Sequence, residues 1–144
     1  MSATGPATFQ IRLRVQAGDI DAQGHVNNVV YLRWAQEVAI AHWEALAPAE
    51  EQARIGWVAL RHEIDYKGAA YLEDEVLVRT WVGTVSGLSF ERHTEMVRAR
   101  DEKVLARART IWCPIDPKTG RAKRVSPELR ALFKSLGREQ SPAR

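Results

Sequence analysis

The sequence predicts an α+β fold: one mostly antiparallel sheet with a single long helix laid across it. From Val30 to about Leu46, apolar residues recur at three- and four-residue spacing, the period of a helix with a buried face. On both sides of that stretch apolar and polar residues alternate with period two, the mark of half-buried strands. The strand-like runs after Trp57 are separated only by hairpin-sized turn signals, so neighbours in sequence should pair antiparallel. A chain of 144 residues, 45% apolar and 27% charged, reads as one domain over residues 1–144 with a core of its own.

Phe9, Ile11, Leu13 and Val15 alternate with Gln10, Arg12 and Arg14 to give the first strand. A loop rich in Asp and Gly follows. In the helix, Val30, Tyr31, Trp34, Ala35, Val38, Ala41, His42 and Ala45 form the main stripe. Arg33, Glu37 and Glu44 lie opposite, with Arg33 and Glu37 spaced to pair along one face. At 1.5 Å per residue the helix is roughly 25 Å long. Leu32, Ile40 and Trp43 fall outside the stripe, so the helix needs a broad partner such as a curved sheet. Pro48 ends it, and Ala49 to Ile55 reads as a connection.

In the next strand Val58, Leu60, Ile64 and Tyr66 make one face, and Arg61, Glu63 and Asp65 the other. Gly68 and Leu72 to Glu75 mark a turn, and Val76 to Val85 a β-branched strand. Ser86-Gly87 signals a hairpin into Phe90–Ala99, and Arg100 to Lys103 turns into the last strand, Val104 to Ile115. Asp116 to Gly120 closes that strand. Ser126 and Pro127 read as N-cap and first position of a final helix that Gly137 stops. Residues 1–7 and 138–144 are read as flexible tails. One helix covering one sheet leaves edges and faces for a second copy, which favours a homo-oligomer, a dimer or a tetramer built from dimers.

The single cysteine, Cys113, excludes an intrachain disulfide, and no Cys/His spacing suggests a zinc site. No secretory signal or membrane-length apolar run is visible, so a cytoplasmic location is the default. The net charge of +3 favours an anionic ligand. The arginines, however, mostly alternate along strands as on a solvated sheet face, and a nucleic-acid binder would show a denser patch.

Chemistry concentrates in Asp19-Ile20-Asp21-Ala22-Gln23-Gly24-His25-Val26-Asn27-Asn28, directly before the helix. A helix start offers unpaired N–H groups and a positive dipole end, suited to a developing oxyanion. The loop can bring a carboxylate to the same spot. Asp19 and Asp21 can also be turn formers bonding their own backbone, and Gly24 answers a backbone requirement. No Gly-x-Ser-x-Gly elbow is present, which argues against an α/β-hydrolase.

With its Asp-x-Asp-x-x-Gly-His-x-x-Asn motif before the central helix, the chain resembles the hotdog-fold acyl-CoA thioesterases of the 4-hydroxybenzoyl-CoA thioesterase-like group. Tyr31 and Trp34 continue the motif into the helix, and Trp57–Tyr66, Gly68–Asp74, Ser89-Phe90 and Ser126 to Leu129 fall where that group has them. The resemblance implies a hotdog fold and hydrolysis of an acyl-CoA thioester, with no metal or dissociable cofactor. Asp21 would be general base or nucleophile, and Asn28 and Val29 would lie at the oxyanion site. Gly24 would shape the loop. His25 and Asn28 would either bond substrate or brace the loop, and Asp19 would be structural.

Tyr31, Trp34 and Val38 are core residues or the lining of an acyl tunnel. His62 reads as a core or interface histidine. Glu63 and Asp65 read as surface charge, or as a second carboxylate brought across an interface. Lys118, Arg121, Lys123 and Arg124 form a solvated turn or a site for the phosphates of coenzyme A, which Ser89 would approach. Two other readings stay open: a hotdog hydratase or dehydratase using Asp21 and His25, and a non-catalytic acyl-CoA-binding module. Release of free thiol separates them.

Overall fold

The computed structural model describes residues 8–135. The tails read as flexible, and the stop at Gly137, lie outside that range. The elements are β1 (Phe9–Arg14), α1 (Asn28–Leu46), α2 (Ala49–Arg54), β2 (Gly56–Tyr66), β3 (Glu75–Ser86), β4 (Ser89–Arg98), β5 (Val104–Ile115) and α3 (Pro127–Ser135). The five strands form one antiparallel sheet in the order β1-β3-β4-β5-β2, so β2 keeps one free edge. This is the α+β arrangement the periodicities predicted.

The long helix lies across one face of the sheet because its stripe is apolar. Val30, Tyr31, Trp34, Ala35, Val38, Ala39, His42 and Leu46 are buried, while Ala45, placed in the stripe by spacing, is exposed. Arg33 and Glu37 pair at 3.7 Å on the solvent side. Under the first half of α1 the core is built on Ile11, Val30, Trp34, Val38, Val78 and Met96. Under the second half it is built on Leu46, Ile55, Phe90, Val125, Leu129 and Phe133. Full burial of a side chain such as Ile11 or Val38 stabilises by about 1.5–3 kcal/mol, so this face fixes where the helix starts.

Ala49–Arg54, expected as a connection, is a short helix after Pro48, with Glu50 and Glu51 in its first turn and Arg54 in its last. In β2 a bulge between Ala59 and Arg61 inserts Leu60 into the pairing with β5. The bulge overturns the expected single face. Ile64 packs on the core, whereas Val58 and Leu60 are 41% and 61% exposed. His62 is also exposed, its Nδ1 3.0 Å from Thr110 Oγ1, and is not a core residue. Ser126 caps α3 as expected, its Oγ accepting from Leu129 N–H at 3.2 Å.

The side of the sheet away from α1 carries a lattice of opposite charges, including Arg12–Glu75 at 2.7 Å, Arg107–Glu95 at 3.0 Å and Arg109–Glu63 at 3.2 Å. That matches the solvated face expected for the arginines, with two exceptions. Arg92 and Arg98 are buried, at 6% and 7% exposure, because they share strand parity with Phe90 and Met96.

Candidate active site

The loop before α1 is a closed turn. Asp21 N–H donates to His25 O, Gly24 N–H donates to Asp21 O, and Ile20 bridges Val26. Gly24 has a φ of +86° with open space where a Cβ would stand, so the turn's backbone, not a close neighbour, requires glycine. Asp19 lies beneath the loop and is 7% exposed. Its Oδ2 accepts from Gln16 N–H at 3.0 Å and its Oδ1 from Arg33 Nη2 at 2.5 Å, tying the loop to α1.

Asp21 is placed differently. Its side chain is 24% exposed, and Oδ1 accepts from Gln23 N–H at 2.9 Å. The other oxygen has no partner among the described residues. His25 Nδ1 stands 4.0 Å from Asp21 Oδ1 and 3.3 Å from Val26 O.

Asn27 caps the helix: its Oδ1 accepts from Val29 N–H at 3.0 Å, and its carbonyl accepts from Val30 N–H at 2.9 Å. The Val29 amide, expected at the oxyanion site, is therefore already engaged by the cap. Asn28 N–H, at this helix start, has no partner among the described residues. Asn28 O accepts from Tyr66 Oη at 3.0 Å, which brings the end of β2 against the start of α1.

A second loop braces the first. Val26 N–H donates to Ala70 O at 2.9 Å, and Ala70 N–H donates to Tyr31 Oη at 3.2 Å. Arg98 Nη1 donates to Ala69 O at 2.9 Å and lies 3.5 Å from Asp74. Tyr31, read as core or as the lining of an acyl tunnel, is 2% exposed, and burial pushes its phenol pKa up. It packs edge-on to Trp34 and Tyr66 and holds the second loop. Trp34 and Val38 are core as well.

The residues expected at coenzyme A are not beside Asp21 within one chain. Ser89 sits at the β3–β4 turn, its Oγ donating to Ser86 O at 3.3 Å. The ten steps from Val76 to Ser86 carry β3 roughly 33 Å away from the end of the sheet where Asp21 lies. Arg121, Lys123 and Arg124 follow β5 at that same far end. Lys123 Nζ donates to Arg54 O at 3.0 Å, so this cation caps α2. Arg121 and Arg124 are exposed.

Sequence reasoning missed a cavity of about 300 Å³ between the second half of α1 and the sheet. Trp43, Trp57, Phe90, Trp112 and Phe133 line it together with Arg92, and Gln36 and Ile40 are on its helix side. Arg92 Nη1 donates to His42 Nδ1 and to Thr80 Oγ1, both at 3.0 Å. Burial and then the Arg92 charge lower the His42 pKa to about 3, so the ring is neutral. The alternation Phe90-x-Arg92-x-Thr94-x-Met96 contained the signal.

Residues 15–133 match the family model of the thioesterase-like superfamily. The sequence is 26% identical over 133 residues to the long-chain acyl-CoA thioesterase FadM of Escherichia coli (strain K12), covering 89% of this chain and 98% of FadM. The fold matches a 1,4-dihydroxy-2-naphthoyl-CoA thioesterase from Synechocystis with a TM-score of 0.76, at 20% identity over 90% of this chain and 97% of that one. It also matches a thioesterase complexed with coenzyme A and Zn from Thermus thermophilus, with a TM-score of 0.79 at 23% identity, covering 93% and 96% of the two chains. The sheet and its crossing helix are those of the hotdog fold.

Proposed function

Because the chain belongs to the thioesterase-like superfamily, we propose that it hydrolyses an acyl-CoA thioester to the free acid and coenzyme A, with Asp21 as the catalytic carboxylate. The observation that carries this is the placement of Asp21. It stands on a turn latched to the start of α1, with one oxygen held by Gln23 N–H and the other without a partner among the described residues. In the general-base route a water gives a proton to Asp21 as its oxygen attacks the thioester carbon. The carbonyl oxygen gains negative charge, for which Asn28 N–H and the helix dipole are suited donors; such donors contribute about 3–4 kcal/mol. The C–S bond then breaks, and the coenzyme A thiolate leaves and takes up the proton. In the nucleophile route Asp21 attacks the carbon itself, the C–S bond breaks with loss of the coenzyme A thiolate to leave an anhydride, and water then opens the anhydride to the free acid and Asp21.

The protein acts as a homo-oligomer whose first interface is the free edge of β2. That edge carries exposed Val58 and Leu60, and Ile40 of α1 is exposed as well. An isologous contact through such an edge pairs β2 with its own copy antiparallel. The Tyr66 end of β2 touches the start of α1, while Gly56 and Trp57 at the other end line the cavity. A two-fold axis through the strand therefore sets the Asp21 end of one protomer beside the Ser89 and Arg121 end of the other.

The test is thiol release over acyl-CoA substrates of short, long, branched and aromatic type. At least one substrate should turn over, and Asp21→Asn should lower its kcat by at least about 10²-fold, the scale of general acid–base catalysis, with KM retained. Turnover of the variant within a few-fold of wild type rejects Asp21. Binding of every substrate with no thiol released rejects the reaction.

A further inference from the structure

The cavity under α1 has a feature that a plain hydrocarbon chain does not need. Amid Trp43, Trp57, Phe90, Trp112 and Phe133, its wall includes Arg92. Burial lowers the Arg92 pKa to about 10, which leaves the guanidinium charged at neutral pH. Its hydrogen bonds run to neutral groups, His42 Nδ1 and Thr80 Oγ1. Among the described residues no carboxylate pairs with it. A cation withdrawn from water without a counter-charge is a large standing cost, and neutral acceptors offset only part of it.

The residues that line the cavity bring in this one positive charge and no carboxylate. Among the described residues the neighbouring indole N–H groups of Trp57 and Trp112 are also buried without an acceptor. On α1, His42 lies fourteen residues beyond Asn28, about 21 Å along the helix axis. Within one chain Arg92 is therefore remote from the loop that carries Asp21.

We propose that the acyl group this protein accepts carries a carboxylate at the end remote from the thioester, and that Arg92 binds that carboxylate while the aromatic walls hold the apolar body. The inference rests on the thioesterase reading and adds a substrate class to it.

Matched acyl-CoA pairs, one member methyl-ended and the other carboxylate-ended, test this at short, medium and long chain lengths. The readout is kcat/KM by thiol release with the full-length enzyme. At one or more lengths the carboxylate-ended member should be favoured at least about tenfold, the scale of one charge-assisted hydrogen bond. In Arg92→Met that ratio should fall to near one, and Arg92→Lys should keep part of it. Circular dichroism checks that Arg92→Met folds; if it does not, the wild-type ratio at each length still decides. Hydrolysis of both members with no carboxylate preference at any length overturns the proposal alone. A preference unchanged in a folded Arg92→Met overturns the role of Arg92. Hydrolysis of no member overturns the thioesterase reading and this inference with it.

Discussion

Asp19 is buried with both oxygens taken, by Gln16 N–H and Arg33, whereas Asp21 is partly exposed with one oxygen unpartnered among the described residues. Two carboxylates two residues apart are thus sorted by solvation and partners, not by residue type. The residues alone left both as possible turn formers, and only the family resemblance implied a structural Asp19. Tyr31 was no more legible, since an aromatic at helical spacing can face core or pocket alike. Its hydroxyl accepts from the buried Ala70 N–H, and Ala70 O in turn accepts from Val26 N–H. Tyr31→Phe should therefore strand a buried donor and cost about 1–3 kcal/mol in urea unfolding, with KM little changed. A large rise in KM at unchanged stability would return Tyr31 to the substrate. Arg92 escaped the sequence reading because its charge was weighed above its parity. Position in a strand decides the face, and its neighbours on alternate positions, Phe90 and Met96, are buried.

At the scale of elements, α1, β1 and the β3–β4 hairpin followed from period and turn chemistry. The bulge in β2 did not, because one inserted residue reverses facing without altering composition. Val58 and Leu60, apolar and on strand, were accordingly placed on the wrong side. The seam between α1 and β4 holds the polar contact of His42 with Arg92. The folded His42 pKa of about 3 lies below its ordinary 6.5. Between those values the unfolded chain binds a proton that the folded chain does not. The stability from keeping His42 neutral is thus complete above about pH 6.5 and declines as pH falls toward 3, by up to about 1.4 kcal/mol per pH unit. His42→Gln retains an acceptor for Arg92 but does not titrate. Unfolding midpoints followed from about pH 7.5 to 5 should fall more steeply for wild type than for this variant, since 6.5 is the ordinary histidine value. Parallel slopes would show that His42 takes up its proton equally in both states.

For the whole molecule, the separation of Asp21 from the exposed cations is the fact that a linear sequence could not display. Arg121 and Arg124 follow β5 at one end of the sheet, and Asp21 precedes α1 at the other. If one chain formed a site alone, coenzyme A phosphates on those arginines would be far from the Asp21 loop. The antiparallel contact proposed through the β2 edge would remove the difficulty by supplying the arginines from the second copy. Exposed charge contacts are individually weak, roughly 0–1 kcal/mol each, so Arg121→Ser with Arg124→Ser should raise KM several-fold and spare kcat. Lys123 is left in place because it caps α2. Mixing this double variant with Asp21→Asn then separates the two architectures. Random exchange at equal amounts makes half the dimers mixed, and one of the two sites in each mixed dimer takes Asp21 from one parent and the arginines from the other. About a quarter of all sites would then be intact, and activity at low substrate should rise above the average of the parents after subunit exchange. Sites held within single chains would give only that average, before and after exchange. Light scattering on the same samples should show a mass of at least twice the 16.2 kDa protomer, and an active monomer would rule out the shared site.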